Sequence, residues 1–449
     1  MTGPIMIHPG EPGYQARRKA FLGTLGEALP AAVACCASEA DVLSALELVR
    51  ARGLPFALRG GGHSFAEHSS TSGLLVDLGA MRTIEVGADT VRVGPGVRVG
   101  ELARRLAGHG RMVPCGWCPE VGVTGAVLGG GYGVFSRLYG LGADHLLGAR
   151  VVLADGRAVE AGDDLLWALR GAGGGNFGVV TELTLRTRPV VPVTAVQAVC
   201  DFGRAADLVD AWQHWAPGAP DEVNLEIAVI SGDEPEEPPR VVLFGVVAGP
   251  EERAAKLAGE LVPPDRLTLT RLEGAAAARH HAYADGGAGA VTELPHGERP
   301  GLRLNKSGFF HEVLPRAAVE DLLERLAADR VRGEIRDLEF VPWAGAIGRV
   351  GADASAFVHR TPRFLLKQAV QVGFRASDSR RRDAHAWLCR EWARLSPWTS
   401  GVYPNYPDAD LRDWARAYYG DNLARLREVK EAYDPEGLFR FAQSVSGRR

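Results

Sequence analysis
The chain has 449 residues, beyond the roughly 250–300 at which a single hydrophobic core stops growing, so two domains are expected. Hydrophobic residues make up 46% and charged residues 24%, which are globular proportions, and no run approaches the roughly 18 apolar residues needed to cross a bilayer. A net charge of −4, with basic residues scattered along the chain, leaves no footprint for nucleic acid or anionic lipid, and Met1 to Gly13 carries no secretory pattern. These features point to a soluble, cytoplasmic protein that acts on a small molecule as a monomer or homodimer.

Residues 32–58 read as strand, helix, strand: Ala32 to Ala34 is apolar, Asp41 to Arg50 has helical period, and Phe56 to Leu58 leads into Arg59-Gly60-Gly61-Gly62-His63-Ser64. Strands are expected at Gly73 to Asp77, Thr83 to Val86 and Thr90 to Val93, and a helix over Val99 to Ala107. A second glycine-rich stretch runs from Pro114 to Gly133 and contains Cys115, Cys118, Val121, Gly122, Thr124, Gly125, Gly129, Gly130, Gly131 and Tyr132. Asp155-Gly156 is a favoured two-residue turn between Ala149–Ala154 and Arg157–Glu160. A short helix from Asp164 is expected to stop at Gly171, and Gly173-Gly174-Gly175-Asn176-Phe177-Gly178 precedes a strand over Val179 to Leu185.

Near Pro189 the glycine texture ends. Strands such as Val241 to Val247 and Gln368 to Phe374 then alternate with helices such as Ala317 to Ala328, the pattern of an α+β unit on an antiparallel sheet. Leu411 to Tyr433 is amphipathic and ends in the turn Asp434-Pro435-Glu436-Gly437. The organisation read from this is a first domain over 1–190, a second over 191–400 and a C-terminal segment over 401–449.

Six cysteines are too sparse for a disulfide framework. Cys115 and Cys118 form one Cys-x-x-Cys, a pattern open to redox or zinc chemistry, but a second metal-ligand pair is missing. Glycine clusters let backbone amides approach a pyrophosphate, and three in one domain suggest a dinucleotide. Rossmann spacing fits poorly, and a P-loop lysine motif does not occur.

The first loop, the Cys118-Pro119-Glu120-Val121-Gly122-Val123-Thr124-Gly125 stretch running into Leu128-Gly129-Gly130-Gly131-Tyr132-Gly133, the segment from Gly173 to Thr181, Ala356-Phe357-Val358-His359-Arg360, Tyr403-Pro404-Asn405-Tyr406-Pro407-Asp408 and Tyr418-Tyr419-Gly420-Asp421-Asn422-Leu423 together resemble the berberine-bridge-enzyme-like flavin oxidases of the vanillyl-alcohol oxidase superfamily. The likeness runs nearly end to end. It implies an α+β, two-domain PCMH-type FAD-binding fold, with an antiparallel-sheet substrate domain covered by helices. It also implies FAD joined through its 8α-methyl carbon to His63 and through ring carbon 6 to Cys118. Two bonds to electron-accepting positions would hold the ring and raise its potential. Further cofactor contacts are expected from Arg59, Gly60, Gly61, Gly62, Ser64, Val121, Gly122, Thr124, Gly125, Gly129, Gly130, Gly131, Gly178, Val180 and Asn405.

Oxidation of an alcohol or hemiacetal needs a base for the O–H proton while hydride leaves carbon. The resemblance assigns the base to Tyr406 and its partner to Tyr132, with Tyr403 and Asp408 holding the segment. A free tyrosine has a pKa near 10, so this assignment expects the site to lower it. Val121, small and three residues after Cys118, would leave room for O2. Lys367, Gln368 and Gln371 are expected to face substrate. The implied reaction is oxidation of a sugar, glycoside or polycyclic natural product in secondary metabolism, with H2O2 as second product. The alternatives are oxidative cyclisation or desaturation, or a flavoprotein that binds a ligand without turnover.

Overall fold
A strand, a helix and a strand open the fold, as the apolar periodicity of residues 32–58 requires. The computed structural model describes residues 3–21, 25, 28–116, 118–280, 301–373 and 375–447. Strands Ala32–Cys35, Leu74–Asp77 and Phe56–Arg59 lie parallel in that order, with Ile5–Ile7 antiparallel on the outer edge. Helix Glu39–Arg52 starts at Ser38, whose hydroxyl and the Asp41 carboxylate form a reciprocal capping box, satisfying amides that the first turn leaves open. Its buried face, Val42, Ala45, Leu46 and Val49, packs with Leu74 and Val76 of this sheet and with Val152 and Val179 of the next.

The second sheet is antiparallel, in the order Ile84–Val86, Thr90–Val93, Val179–Arg186, Leu146–Val152, Ala158–Glu160. Helix Val99–Ala107 spans the residues expected of it. The helix Asp163–Ala172 loses helical geometry at Arg170 and Gly171, the point at which the sequence places its end.

A seven-stranded antiparallel sheet takes Thr268–Leu272, Val193–Asp201, Arg240–Ala248, Val223–Ile230, Glu334–Pro342, Phe364–Val372 and Leu302–Phe310 in spatial order. The strand expected over Gln368 to Phe374 begins four residues earlier, and Phe374 lies outside the described residues. Side chains alternate across a strand. Leu225, Ile227, Val229, Leu338, Phe340, Leu366 and Val370 meet helices Ala205–Trp215, Arg316–Ala327 and Asp378–Leu395 in the largest core cluster. The opposite face carries Glu226, Glu339, Lys367 and Phe309.

Residues 401–447 return to the first two sheets. Tyr418, Tyr419, Leu426, Val429 and Val445 join the core cluster of Leu146, Val151 and Trp167, and Lys430 is buried with its ammonium on Asp434 and on the carbonyls of Asn176 and Phe439. The amphipathic stretch Leu411 to Tyr433 is two helices, Trp414–Tyr419 and Leu423–Tyr433, rather than one. The break falls at Gly420, whose φ is +48°, a conformation that ends a right-handed helix.

Candidate active site
Two glycine loops meet back to back. A Cβ on Gly61 would lie 2.3 Å from the Gly122 nitrogen, and one on Gly122 would lie 2.7 Å from the Gly61 nitrogen, so only glycine permits this approach. Gly60 is confined in the same way by the Pro95 carbonyl, 2.7 Å from where its Cβ would be. From the first loop, the His63 ring stacks on Phe21 at 3.9 Å, Gly62 has φ +73°, and the Ser64 hydroxyl accepts from the His68 amide.

The second loop separates its two thiols. Cys115 is buried, and burial pushes its pKa up to about 12, so this thiol is inert packing. Cys118 is exposed. Surrounding protein raises its pKa by desolvation, while Lys367 and Arg303 of the seven-stranded sheet act to lower it. Val121, half-buried, follows it, and the short helix Val123–Leu128 begins after Gly122.

This helix offers the clearest test of whether a large planar group can be held here. Its other residues are buried, but Gly125 is exposed, and a Cβ there would meet nothing within 4 Å. Buried Thr124 beside it has a hydroxyl with no hydrogen-bond partner among the described residues. Open space at Gly125, an unused donor and two interlocked glycine loops fit a flavin nucleotide.

The aromatic pair completes the arrangement. Tyr132 and Tyr406 place their hydroxyls 2.9 Å apart, and the Tyr132 hydroxyl is 3.4 Å from Glu339 Oε1. The Lys367 ammonium pairs with the other Glu339 oxygen and lies 5.4 Å from the Tyr406 ring centre. Lys367 and Glu339 are direct cross-strand partners, which fixes this pairing by register. Tyr406 is held through Tyr403 and Asn405. The Tyr403 hydroxyl accepts from the amides of Gly131 and Tyr132 at 2.9 and 3.2 Å, and the Asn405 amide donates to the Ala126 carbonyl at 2.8 Å and to the Tyr403 hydroxyl at 3.0 Å. Asp408 anchors the same segment by accepting two bonds from Lys306, at 2.8 and 2.9 Å.

The Tyr406 pKa is raised, not lowered. Burial dominates, and Lys367 and the Tyr132 hydroxyl offset it only in part. The Tyr132 phenol is raised for the same reason. The Arg59 guanidinium donates to the carbonyls of Arg17, Lys19 and Ser69 and to the Ser70 hydroxyl, tying the first loop to neighbouring chain. Gly129 and Gly130 abut Asn405, Phe357 and Tyr403, so their missing side chains admit the C-terminal segment. Gly178 packs against Val151 and Val152, and Val180 lies in a core cluster. Gln368 points to the helix-covered face with Leu366 and Val370, fully buried and away from the tyrosines. Lys367 and Gln371 are on the site face, where the Gln371 side-chain oxygen accepts from Arg303 at 3.2 Å.

The sequence reading missed Glu339, Glu226, Arg303 and Asp337. Glu226 is buried on the site face, and its pKa is raised by burial and by Glu339. The available signal was a carboxylate flanked on both sides by large apolar residues, Leu225-Glu226-Ile227 and Leu338-Glu339-Phe340. Such residues are seldom fully buried without a role.

The comparisons with known proteins agree with this geometry. Residues 30–162 match the model of the FAD binding domain, and residues 402–446 match that of berberine and berberine-like proteins. The fold and site are thus those of an FAD-linked oxidoreductase. The chain is 31% identical over 460 residues to the FAD-linked oxidoreductase YgaK of Bacillus subtilis (strain 168), covering 99% of this chain and 97% of that one. It is 30% identical over 467 residues to YvdP of the same organism, covering 100% and 99%. The solved xylooligosaccharide oxidase from Myceliophthora thermophila C1, in complex with xylobiose, superposes with a TM-score of 0.87 at 26% identity, covering 99% of this chain and 98% of that one. The chain belongs to the berberine-bridge-enzyme-like FAD-linked oxidoreductases. Among the described residues, no helix is long and apolar enough to cross a membrane.

Proposed function
We propose that this enzyme oxidises an alcohol or hemiacetal carbon of a sugar, glycoside or polycyclic natural product and passes the electrons to O2, forming H2O2. The observation that carries the reading is the Tyr406–Tyr132 hydroxyl contact at 2.9 Å, continued to Glu339 and overlooked by the Lys367 ammonium. FAD, when bound, supplies the hydride acceptor.

The raised pKa of Tyr406 is met by a relay. As Tyr406 takes the substrate O–H proton, its own proton moves to Tyr132, and that of Tyr132 moves to Glu339 Oε1. The net transfer is from the substrate hydroxyl to a carboxylate, with no free phenolate at rest, and the Lys367 charge stabilises the negative charge that develops on Tyr406. His63 and Cys118 serve as attachment points for the flavin. This is supported by Cys118 being the exposed cysteine of the six and by the two loops meeting at Gly61 and Gly122. Val121, half-buried beside Cys118, leaves space for O2. The xylobiose bound by the M. thermophila oxidase supports a saccharide among the substrate classes.

The test is anaerobic mixing with oligosaccharides and aromatic alcohols, followed by air. Substrate should bleach the flavin, and air should yield H2O2. The Tyr406→Phe variant should bleach roughly 100-fold more slowly, the scale of losing a general base. Bleaching by amine or C–H donors alone, or an undiminished rate in Tyr406→Phe, would overturn the proposal.

A further inference from the structure
Away from the tyrosines, helix Asp378–Leu395 meets the chain that follows Tyr406. His385 and Cys389 are four residues apart on this helix and therefore share a face. His385 Nε2 and Cys389 Sγ are 3.4 Å apart, and Asp410 Oδ2 is 2.8 Å from the first and 3.3 Å from the second. One nitrogen, one sulfur and one oxygen thus converge as a triangle. Around a tetrahedral zinc ion, with donors at about 2.0–2.3 Å, neighbouring ligand atoms lie roughly 3.3–3.7 Å apart. Two edges already have that span, and the third, His385 to Asp410, needs to open by about 0.5 Å.

Asp410 is set in place before any ion arrives. Its amide donates to Asp408 Oδ1 at 3.0 Å, and Lys306 bridges both carboxylates, reaching Asp410 Oδ2 at 2.8 Å. An ammonium beside the site opposes a cation, but the charges close: Lys306 is matched by Asp408, which leaves the Asp410 carboxylate and a Cys389 thiolate to match a divalent ion. The side chains of His385 and Asp410 are 29% and 43% exposed, so an ion can enter from solvent and keep a water in its fourth position. The donor set selects the metal. Magnesium and calcium take oxygen ligands, whereas thiolate with imidazole suits zinc.

We propose that His385, Cys389 and Asp410 form a zinc-class binding site that ties the segment carrying Tyr406 to helix Asp378–Leu395. Asp410 follows Tyr406 by four residues, so an ion here restrains the segment on the C-terminal side of Tyr406, as Asn405 does on the N-terminal side. On binding, the Cys389 S–H bond breaks, a sulfur–metal bond forms and one proton leaves to solvent, while His385 binds through Nε2 and carries its proton on Nδ1. The inference is independent of the proposed oxidation.

The test uses the FAD-loaded enzyme, stripped with chelator and titrated calorimetrically with zinc chloride, then washed and examined by X-ray absorption at the zinc edge. One zinc per chain is expected, with one sulfur and three lighter donors, and with a higher melting midpoint than the stripped protein. Cys389→Ser and His385→Ala should each weaken binding by at least an order of magnitude, roughly 10-fold. A zinc shell without sulfur in the unaltered protein, no uptake of zinc, or an affinity in both variants equal to that of the parent would overturn the proposal. The absorption measurement needs no variant to fold.

Discussion

Replacing Lys367 by methionine removes the positive charge over the proposed base while keeping a side chain of similar length. The ammonium lies 5.4 Å from the Tyr406 ring centre and Lys367 is buried. At an effective dielectric constant of about 20, a unit charge at that distance stabilises a full negative charge on the phenol by about 3 kcal/mol. That corresponds to about 2 pKa units, or roughly 100-fold in the rate of a step that develops this charge. Removal of Lys367 also leaves Glu339 without its cation, which makes this carboxylate a stronger proton acceptor and offsets part of the loss. Stopped-flow measurement of anaerobic flavin reduction, with substrate saturating, reads the effect directly. Lys367→Met should reduce its flavin up to about 100-fold more slowly. Lys367→Arg keeps the charge and should recover most of the loss. A Lys367→Met enzyme that is folded, fully loaded with FAD and as fast as the parent would refute the electrostatic argument. So would an equal loss in Lys367→Arg.

Acid precipitation should leave the yellow colour with the protein. His63→Ala and Cys118→Ala should each keep linked flavin and the double variant should lose it; colour retained by the double variant would mean that other residues carry the bonds. Gly61→Ala places a Cβ 2.3 Å from the Gly122 nitrogen, forcing the loops apart. Bound FAD should fall sharply and stability by about 1–3 kcal/mol, measured by flavin content and melting midpoint, and unchanged values would count against the two loops forming one cradle. His359 is buried between Phe309 and Gly401, 3.0 Å from the Tyr418 carbonyl, and burial holds its pKa down at about 4 against the usual 6.5. The unfolded chain therefore binds this proton first. Stability present above about pH 6.5 should be lost as the pH falls toward 4, by up to about 3 kcal/mol. Urea titrations of the parent and of His359→Gln over that range check this, and equal slopes in the two proteins would exclude His359 as the source.

Local pattern carried much of the architecture. Period and capping residues place helix Glu39–Arg52, strand Phe56–Arg59 and helix Val99–Ala107, because each contrasts an apolar stripe with a polar one or carries its own stop signal. The order of motifs brings His63, Cys118, Tyr132 and Tyr406 into consideration together, although nothing local says that the two glycine loops interlock. What the tertiary structure decided is which face of a strand is which. Phe364–Val372 is buried on both sides along almost its whole length, so alternation carries no polar contrast, and Lys367 and Gln368 look alike in sequence. Pairing with Glu339 on one side, and packing beneath helix Asp378–Leu395 on the other, separate them. The same holds for Arg59 and Tyr406. Whether a guanidinium meets phosphate or carbonyls, and whether burial outweighs a nearby ammonium at a phenol, depends on groups tens to hundreds of residues away in the chain. The sequence by itself therefore settles the elements and the chemical types on offer, and only the packed sheets decide which of them face the reaction and in what protonation state.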